Sequence, residues 1–212
     1  MTPQQQVITP ATEDKEIIPR ILAGEKHLYE NLMRKYNSRM FRISMSIIND
    51  DMEAEDIMQI AYIHAYQQLA SFNRKSSFGT WLTRILINES LLHKKRKLRR
   101  QEILSKHETI EYHNDTPLKS LMNKELKNIL EKAVLTLPEK YRLVFVMREI
   151  ENMSTNETMD VLNIGESNVK IRLNRAKEML RNDLSSQFKS QQLFDFHLTR
   201  CDRVVNFVMD KI

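Results

Sequence analysis

Only three glycines and five prolines punctuate the 212 residues. Sheet architectures place Gly and Pro at their frequent tight turns. A chain this poor in both is expected to fold as helices that run long between few breaks. The apolar residues keep the matching period. Ile17, Ile18, Ile21 and Leu22 recur at steps of three or four, and so do Leu28, Leu32, Tyr36, Met40, Ile43 and Ile47. The expected fold class is all-α.

The charge balance narrows the function classes. There are 33 Lys plus Arg against 28 Asp plus Glu, a net charge of +5. No apolar run approaches the roughly 20 residues of a membrane-spanning helix, so no membrane insertion is expected. The N-terminus, MTPQQQVITPATEDKE, lacks a basic head followed by an apolar stretch, which argues against a secretory signal. Cys201 is the one cysteine, so a disulfide within the chain is impossible. His197 and Cys201 have the spacing of half a metal site, but without a second cysteine no zinc is expected. There is no Walker loop, no G-x-G-x-x-G and no H-E-x-x-H. His64, His93 and His107 have no nucleophile or carboxylate at motif spacing. No enzyme, cofactor or metal is therefore expected, and the location expected is cytoplasmic.

Composition divides the chain. Residues 1–12, rich in Thr, Gln and Pro, are expected to be disordered. Residues 13–100 form a first helical domain. In it an acidic knot, NDDMEAED, supplies Asp50 or Asp51 as a helix cap. The helix after that knot is expected to run to about Ser71. The polar segment SFNRKSSFGTW, with Gly79, reads as a loop before a basic helix from about Thr80 to Arg99. Residues 101–116 lose the periodicity, switch from basic to acidic, and read as a linker. Residues 117–186 form a second domain. Beyond it, in residues 187–212, Leu198, Cys201, Val205, Val208 and Ile212 share one face of an expected C-terminal extension helix.

The second domain carries a local signature. Pro138 is placed to begin a helix. Ser154-Thr155-Asn156-Glu157 is a capping box. Gly165 breaks the chain, and a third helix begins near Ser167. There Val169, Leu173, Ala176 and Leu180 share one face, while Lys170, Arg172, Arg175, Lys177 and Arg181 fill the rest. A basic face alone fits a solvated helix of an ordinary bundle. Joined to the cap and the turn, it fits a helix-turn-helix whose last helix enters a major groove and whose cations displace counterions from phosphates.

The first domain carries another. Six of the seven residues from Lys94 to Arg100 are basic. Upstream on the same helix Trp81, Arg84 and Asn88 recur on one side, and Phe72 and Phe78 bracket the preceding loop. Taken alone, Trp81 reads as a buried core residue. Rings beside a cationic stripe are what single-stranded nucleic acid requires, since bases stack on the rings and cations track the backbone. Phe72 to Arg100 is thus expected to form one continuous surface. On the helix from Asp56 to Leu69, Ile57, Ile60, Ala61 and Ala65 form one apolar side and Met58, Tyr62 and Leu69 another. Asp56, Gln59 and Ile63 lie along a third strip. That width fits either internal packing or a partner.

The combination AEDIMQIAYIHAYQQL, then FNRKSSFGTWLTRILINESLLHKKRK, then LPEKYRLVFVMREIENMSTNETMDVLNIGESNVKIRLNRAKEMLRNDL resembles the extracytoplasmic-function (ECF) sigma factors of bacterial RNA polymerase, over about residues 13–184. The resemblance implies two helical domains joined by a flexible linker, the second a helix-turn-helix domain, and no catalysis. It implies core RNA polymerase and promoter DNA as partners; an anti-sigma factor is one the family often has. By the same resemblance Asp56, Gln59 and Ile63 face the β′ clamp helices, and the start of the second domain meets the β flap. Phe78, Trp81, Arg84 and Asn88 open the minus-ten element, with Lys94, Lys95 and Arg96 beside upstream duplex. Ser167, Asn168, Lys170, Arg172 and Arg175 read the minus-thirty-five element. Thr158-Met159 stands where the family usually has Ile-Ala, Gly165 where it has Ser, and Asn168 where it has Thr. The other reading is a self-sufficient helix-turn-helix regulator that binds duplex DNA without polymerase.

Overall fold

The computed structural model describes residues 14–104, 121–188 and 209. Among the described residues there is no strand. Helix α1 (Asp14–Leu22) buries Ile17, Ile18 and Ile21 and stops before Gly24, whose φ of 112° only glycine adopts without strain. A single 3₁₀ turn at Lys26–Leu28 leads into α2 (Tyr29–Ile48), which ends on left-handed Asn49. Asp50 then caps α3 (Asp51–Gln67), its carboxylate accepting from the Glu53 N–H at 2.9 Å. The chain continues as a 3₁₀ turn at Leu69–Ser71, so α3 itself stops short of Ser71.

Helix α4 (Phe78–Leu104) begins earlier and ends later than its sequence indicates. Ser77 sets the start, its hydroxyl accepting from the Thr80 N–H at 3.1 Å. Gly79 is a helical residue and not a loop residue. A side chain there would lie 2.6 Å from Cε1 of Tyr36, so glycine is what lets α4 approach α2. Residues 101–104 continue α4, where the composition reads as linker. The rest of that segment, 105–116, and the expected disordered residues 1–12 lie outside the described residues.

The second half begins with α5 (Leu121–Thr136). Pro138 occupies the cap position before α6 (Glu139–Phe145), which widens into a π-helical turn at Val146–Ile150. Arg142 is buried against α5 and donates to the Leu135 carbonyl at 2.6 Å; burial pushes its guanidinium below the usual range. Helix α7 (Thr155–Leu162) leads to α8 (Glu166–Phe188). The left-handed residue in that turn is Asn163, with φ of 51°. Gly165 instead sits at the cap of α8, its carbonyl accepting from Val169 N–H at 3.2 Å. Of the expected C-terminal extension, residues 187–212, the first two close α8 and Met209 is described; His197, Cys201 and the rest lie outside the described residues.

One hydrophobic core spans both halves. Leu32, Met40 and Ile43 of α2, Ile57 of α3, and Leu82 and Leu86 of α4 pack in the same cluster as Leu143, Val146, Met147, Met153 and Val161. A smaller cluster of Ala133, Leu137, Ala176 and Leu180 holds α8 to α5. The halves therefore meet through α2 against α6 and α4 against α7.

Candidate nucleic-acid interface

The aromatic residues near the start of α4 turn inward. Phe78 is 2% exposed, at 5.7 Å from the Tyr36 ring and 5.7 Å from the Trp81 ring. Phe72 lies 5.2 Å from Trp81, and both are half-buried. This corrects the expectation for Phe78. A ring enclosed on α2 cannot stack on a base; it can only back the residues in front of it. The continuous surface from Phe72 to Arg100 is corrected with it. Its rings form a packed cluster, and its cations divide.

Arg84 and Asn88 are exposed one and two turns beyond Trp81. Lys94 reaches Glu139 of α6, and Lys97 donates to Glu53 of α3 at 2.7 Å. Lys95 and Arg96 are exposed. Histidines that lacked carboxylates at motif spacing find them on neighbouring helices. His64 Nδ1 lies 2.9 Å from Glu89, and His93 Nε2 lies 3.3 Å from Glu53. His107 is outside the described residues.

Helix α7 covers part of this face. Arg84 Nη2 donates to the Asp160 carbonyl at 2.6 Å. Thr80 Oγ1 donates to Glu157 at 2.9 Å, and Ser77 Oγ stands 3.4 Å from the same oxygen. Glu157 also completes the capping box. Its other oxygen accepts from Ser154 N–H at 2.8 Å, and its own N–H donates to Ser154 Oγ at 3.1 Å. Burial pushes the Glu157 carboxyl up, yet the Ser154 N–H and the Thr80 and Ser154 hydroxyls together hold it below the usual carboxylate range. Thr158, in place of the family's usual residue, is buried and donates to the Ser154 carbonyl at 2.9 Å.

Local residues announce the capping box; nothing local announces its bond to Thr80. The same holds for Glu151, a buried carboxylate held by Arg39 and Arg42 of α2. A sequence signal for these pairs would have to span more than 70 positions.

On α3, Asp56, Gln59 and Ile63 are exposed along one strip. Ile60 joins them at 42% exposure, so it belongs to this strip and not to the core side with Ile57 and Ala61. Burial of Ala54, Ile57, Ala61, Tyr62 and Ala65 leaves that strip as the helix's free edge. Two apolar and two polar side chains there suit a protein surface better than phosphate.

On α8, Ser167, Asn168, Lys170 and Arg175 are exposed and Arg172 is half-buried. Lys170 pairs with Glu166 at 2.7 Å and Arg175 with Glu178 at 3.2 Å. Lys170 holds the Glu166 carboxyl below its usual range. Val169, Ala176 and Leu180 anchor the opposite edge. A basic helix docked by one apolar edge, after a capped helix and a tight turn, can lie in a DNA groove. No helix among the described residues is long and apolar enough to cross a membrane. No group of three or more His, Cys, Asp or Glu among them could hold a metal ion.

Two family models match parts of the chain. The family model of sigma-70 region 2 matches residues 32–100, and that of sigma-70 region 4 matches residues 127–180. Over 179 residues the chain is 30% identical to the ECF RNA polymerase sigma factor SigW of Bacillus subtilis strain 168, spanning 80% of this chain and 96% of that protein. It is 27% identical to the RNA polymerase sigma-H factor of Pseudomonas aeruginosa, spanning 79% and 92%. Two solved structures share the fold. One is the sigma factor RpoE in complex with the anti-sigma factor NepR from Bartonella quintana, at TM-score 0.61 and 18% identity, covering 74% of this chain and 96% of that one. The other is CnrH in complex with the cytosolic domain of CnrY, at TM-score 0.59 and 20% identity, covering 84% and 99%.

Proposed function

The chain belongs to the ECF sigma factors of bacterial RNA polymerase, and from that premise we propose how its exposed faces divide the work of transcription initiation. Asp56, Gln59, Ile60 and Ile63 dock α3 on the β′ clamp helices of core polymerase. Trp81, Arg84 and Asn88 hold the opened strand of the minus-ten element, with Phe78 as the buried backing of Trp81. Lys94, Lys95 and Arg96 run beside upstream duplex. Ser167, Asn168, Lys170, Arg172 and Arg175 place α8 on the minus-thirty-five element. The start of the second domain, residues 117–186, meets the β flap, and the connection after α4, residues 105–116, lets the two domains separate.

The observation that carries this reading is the exposed strip on α3 together with the exposed basic face of α8. Each lies on the surface of a helix whose other edge is packed in a core. Two weak sites on one chain gain affinity once polymerase holds them at the spacing of two promoter elements. The closed contact of α4 with α7 belongs, in this reading, to the state without polymerase, because Arg84 cannot hold both the Asp160 carbonyl and a DNA strand. Two relatives of similar fold carry an anti-sigma factor or a partner's cytosolic domain in their structures. A partner of that kind, binding across the two domains, is the regulator expected here.

The test is co-purification with core polymerase followed by strand-opening assays on duplex and pre-opened promoter DNA. The reading expects tight binding to core and opening only by the assembled holoenzyme. Tight, palindromic duplex binding by the free chain would overturn it in favour of a self-sufficient regulator.

A further inference from the structure

The exposed edge of α8 is not uniformly polar. Its inward edge is fixed by Val169, Ala176 and Leu180. At about 100° per residue the edge directly opposite carries Ser167, Ile171, Asn174 and Glu178, and all four are exposed. Ile171, the one apolar member, is 58% exposed. Nothing in the fold requires it there. It meets no core, and isoleucine is a weaker helix former than the Lys, Arg or Gln an exposed site would ordinarily carry.

Its neighbours say what kind of surface would cover it. Lys170 and Arg175 flank it on either side, with Lys177 and Arg181 further along the exposed surface. Such a rim suits a polyanion. The major groove of DNA offers one apolar group, the 5-methyl of thymine. A β-branched side chain on a helix is nearly fixed at χ1, so Ile171 presents its methyl groups in one direction without an ordering cost. Arg172 lies about 100° around the helix from Ile171 and is half-buried, which points it to the groove wall and its phosphates more than to base edges.

We propose that Ile171 reads the methyl group of a thymine in the upstream promoter element, and so sets base preference at one position of that element. The inference rests on the placement of α8 on DNA proposed above and adds to it a residue and a base.

The experiment uses the holoenzyme reconstituted with core polymerase, on a promoter selected from duplexes randomised over the upstream element. Each thymine of that element is replaced singly by deoxyuridine, which removes only the methyl. Wild type should lose about three- to fivefold in complex formation at one position, the worth of one buried methyl. Ile171→Ala should lose a similar factor on the thymine template and become indifferent to deoxyuridine at that position. Loss on Ile171→Ala with no deoxyuridine effect at any position would assign Ile171 to a protein surface and overturn the proposal. A retained upstream preference with neither effect would overturn it too, while leaving α8 on DNA. Failure of the underlying placement looks different: scrambling the whole upstream element, or Lys170→Ala with Arg175→Ala, would then change nothing.

Discussion

Arg42 closes both arms of its guanidinium on the carboxylate of Glu151, 109 positions further along the chain. Nη2 meets Oε2 at 3.1 Å, and Arg39 Nε stands 3.5 Å from the same oxygen. The Glu151 side chain is 3% exposed and that of Arg42 is 48% exposed. The anion has left water and the cation has not. Its burial is compensated only while the arginines of α2 hold it. The bond to Glu151 in turn raises the Arg42 guanidinium above its usual range. This pair ties the turn after α6 to the first half of the molecule.

Glu151→Ala and Arg42→Ala should therefore be non-additive. Urea denaturation of wild type, both single variants and the double variant should give a coupling energy of about 1–2 kcal/mol, the range of a two-armed pair with one exposed partner. Additive single effects would mean the pair contributes nothing to holding the halves together.

Glu157 gives the contact between α4 and α7 a pH dependence of known sign. Its folded pKa lies below the ordinary value of 4.5. The stability it contributes is therefore fully present above about 4.5 and is lost as pH falls through the folded value. Glu157→Gln keeps a side chain able to cap α7 but cannot titrate. The gap in urea midpoint between wild type and Glu157→Gln should be widest near neutral pH and shrink below about pH 4. A gap that does not change between those pH values would show that the carboxylate charge plays no part in the contact.

How much of this could be read from sequence follows the distance between partners. The capping box at Ser154 and Glu157 and the cap at Asp50 were legible because each lies within one helical turn. The apolar edge of α8 was legible because a period of three or four suffices to name Val169, Ala176 and Leu180. Phe78 and Gly79 were misplaced because what buries them is Tyr36, on another helix. In isolation a glycine among serines reads as a loop. The turn into α8 is legible from Gly165, which stands at the cap of α8, while Asn163, which tolerates the left-handed region, takes the positive φ. The ties of Arg42 to Glu151 and Thr80 to Glu157 have no local signal, and the second decides which face of α4 is covered by α7.

The two glycines make a matched pair. Gly79→Ala places a methyl 2.6 Å from a Tyr36 ring carbon and 3.0 Å from Arg39 Nη1. The ring is itself packed on Phe78, so it has little room to yield. Overpacking of about 1–3 kcal/mol should outweigh the gain of up to about 1 kcal/mol that alanine brings to a helix. Gly165 has nothing within 4 Å of the same point and no positive φ. Gly165→Ser, at a helix cap, should stabilise by a few tenths of a kcal/mol. Thermal denaturation of both variants checks this, and a Gly79→Ala protein as stable as wild type would show that α2 and α4 do not pack this closely.

Arg84 separates the packing role of the α4 face from the role on DNA proposed for it. Its side chain is exposed, and its bond in the free chain is to the carbonyl of Asp160 at 2.6 Å. Arg84→Ala removes no core volume, so folding stability should change by no more than about 0.5 kcal/mol. Binding to core polymerase through α3 should be unchanged. Open-complex formation on duplex promoter should fall about three- to tenfold, because the cation proposed to track the separated strand is gone. On a pre-opened template the deficit should be smaller, since the few kcal/mol of unpairing and unstacking have been removed from the reaction. Trp81→Phe, which keeps a ring in the cluster with Phe72 and Phe78, should retain more opening than Trp81→Ala. Full opening of the duplex by Arg84→Ala would take this residue out of the melting surface and leave its contact with α7 as its function.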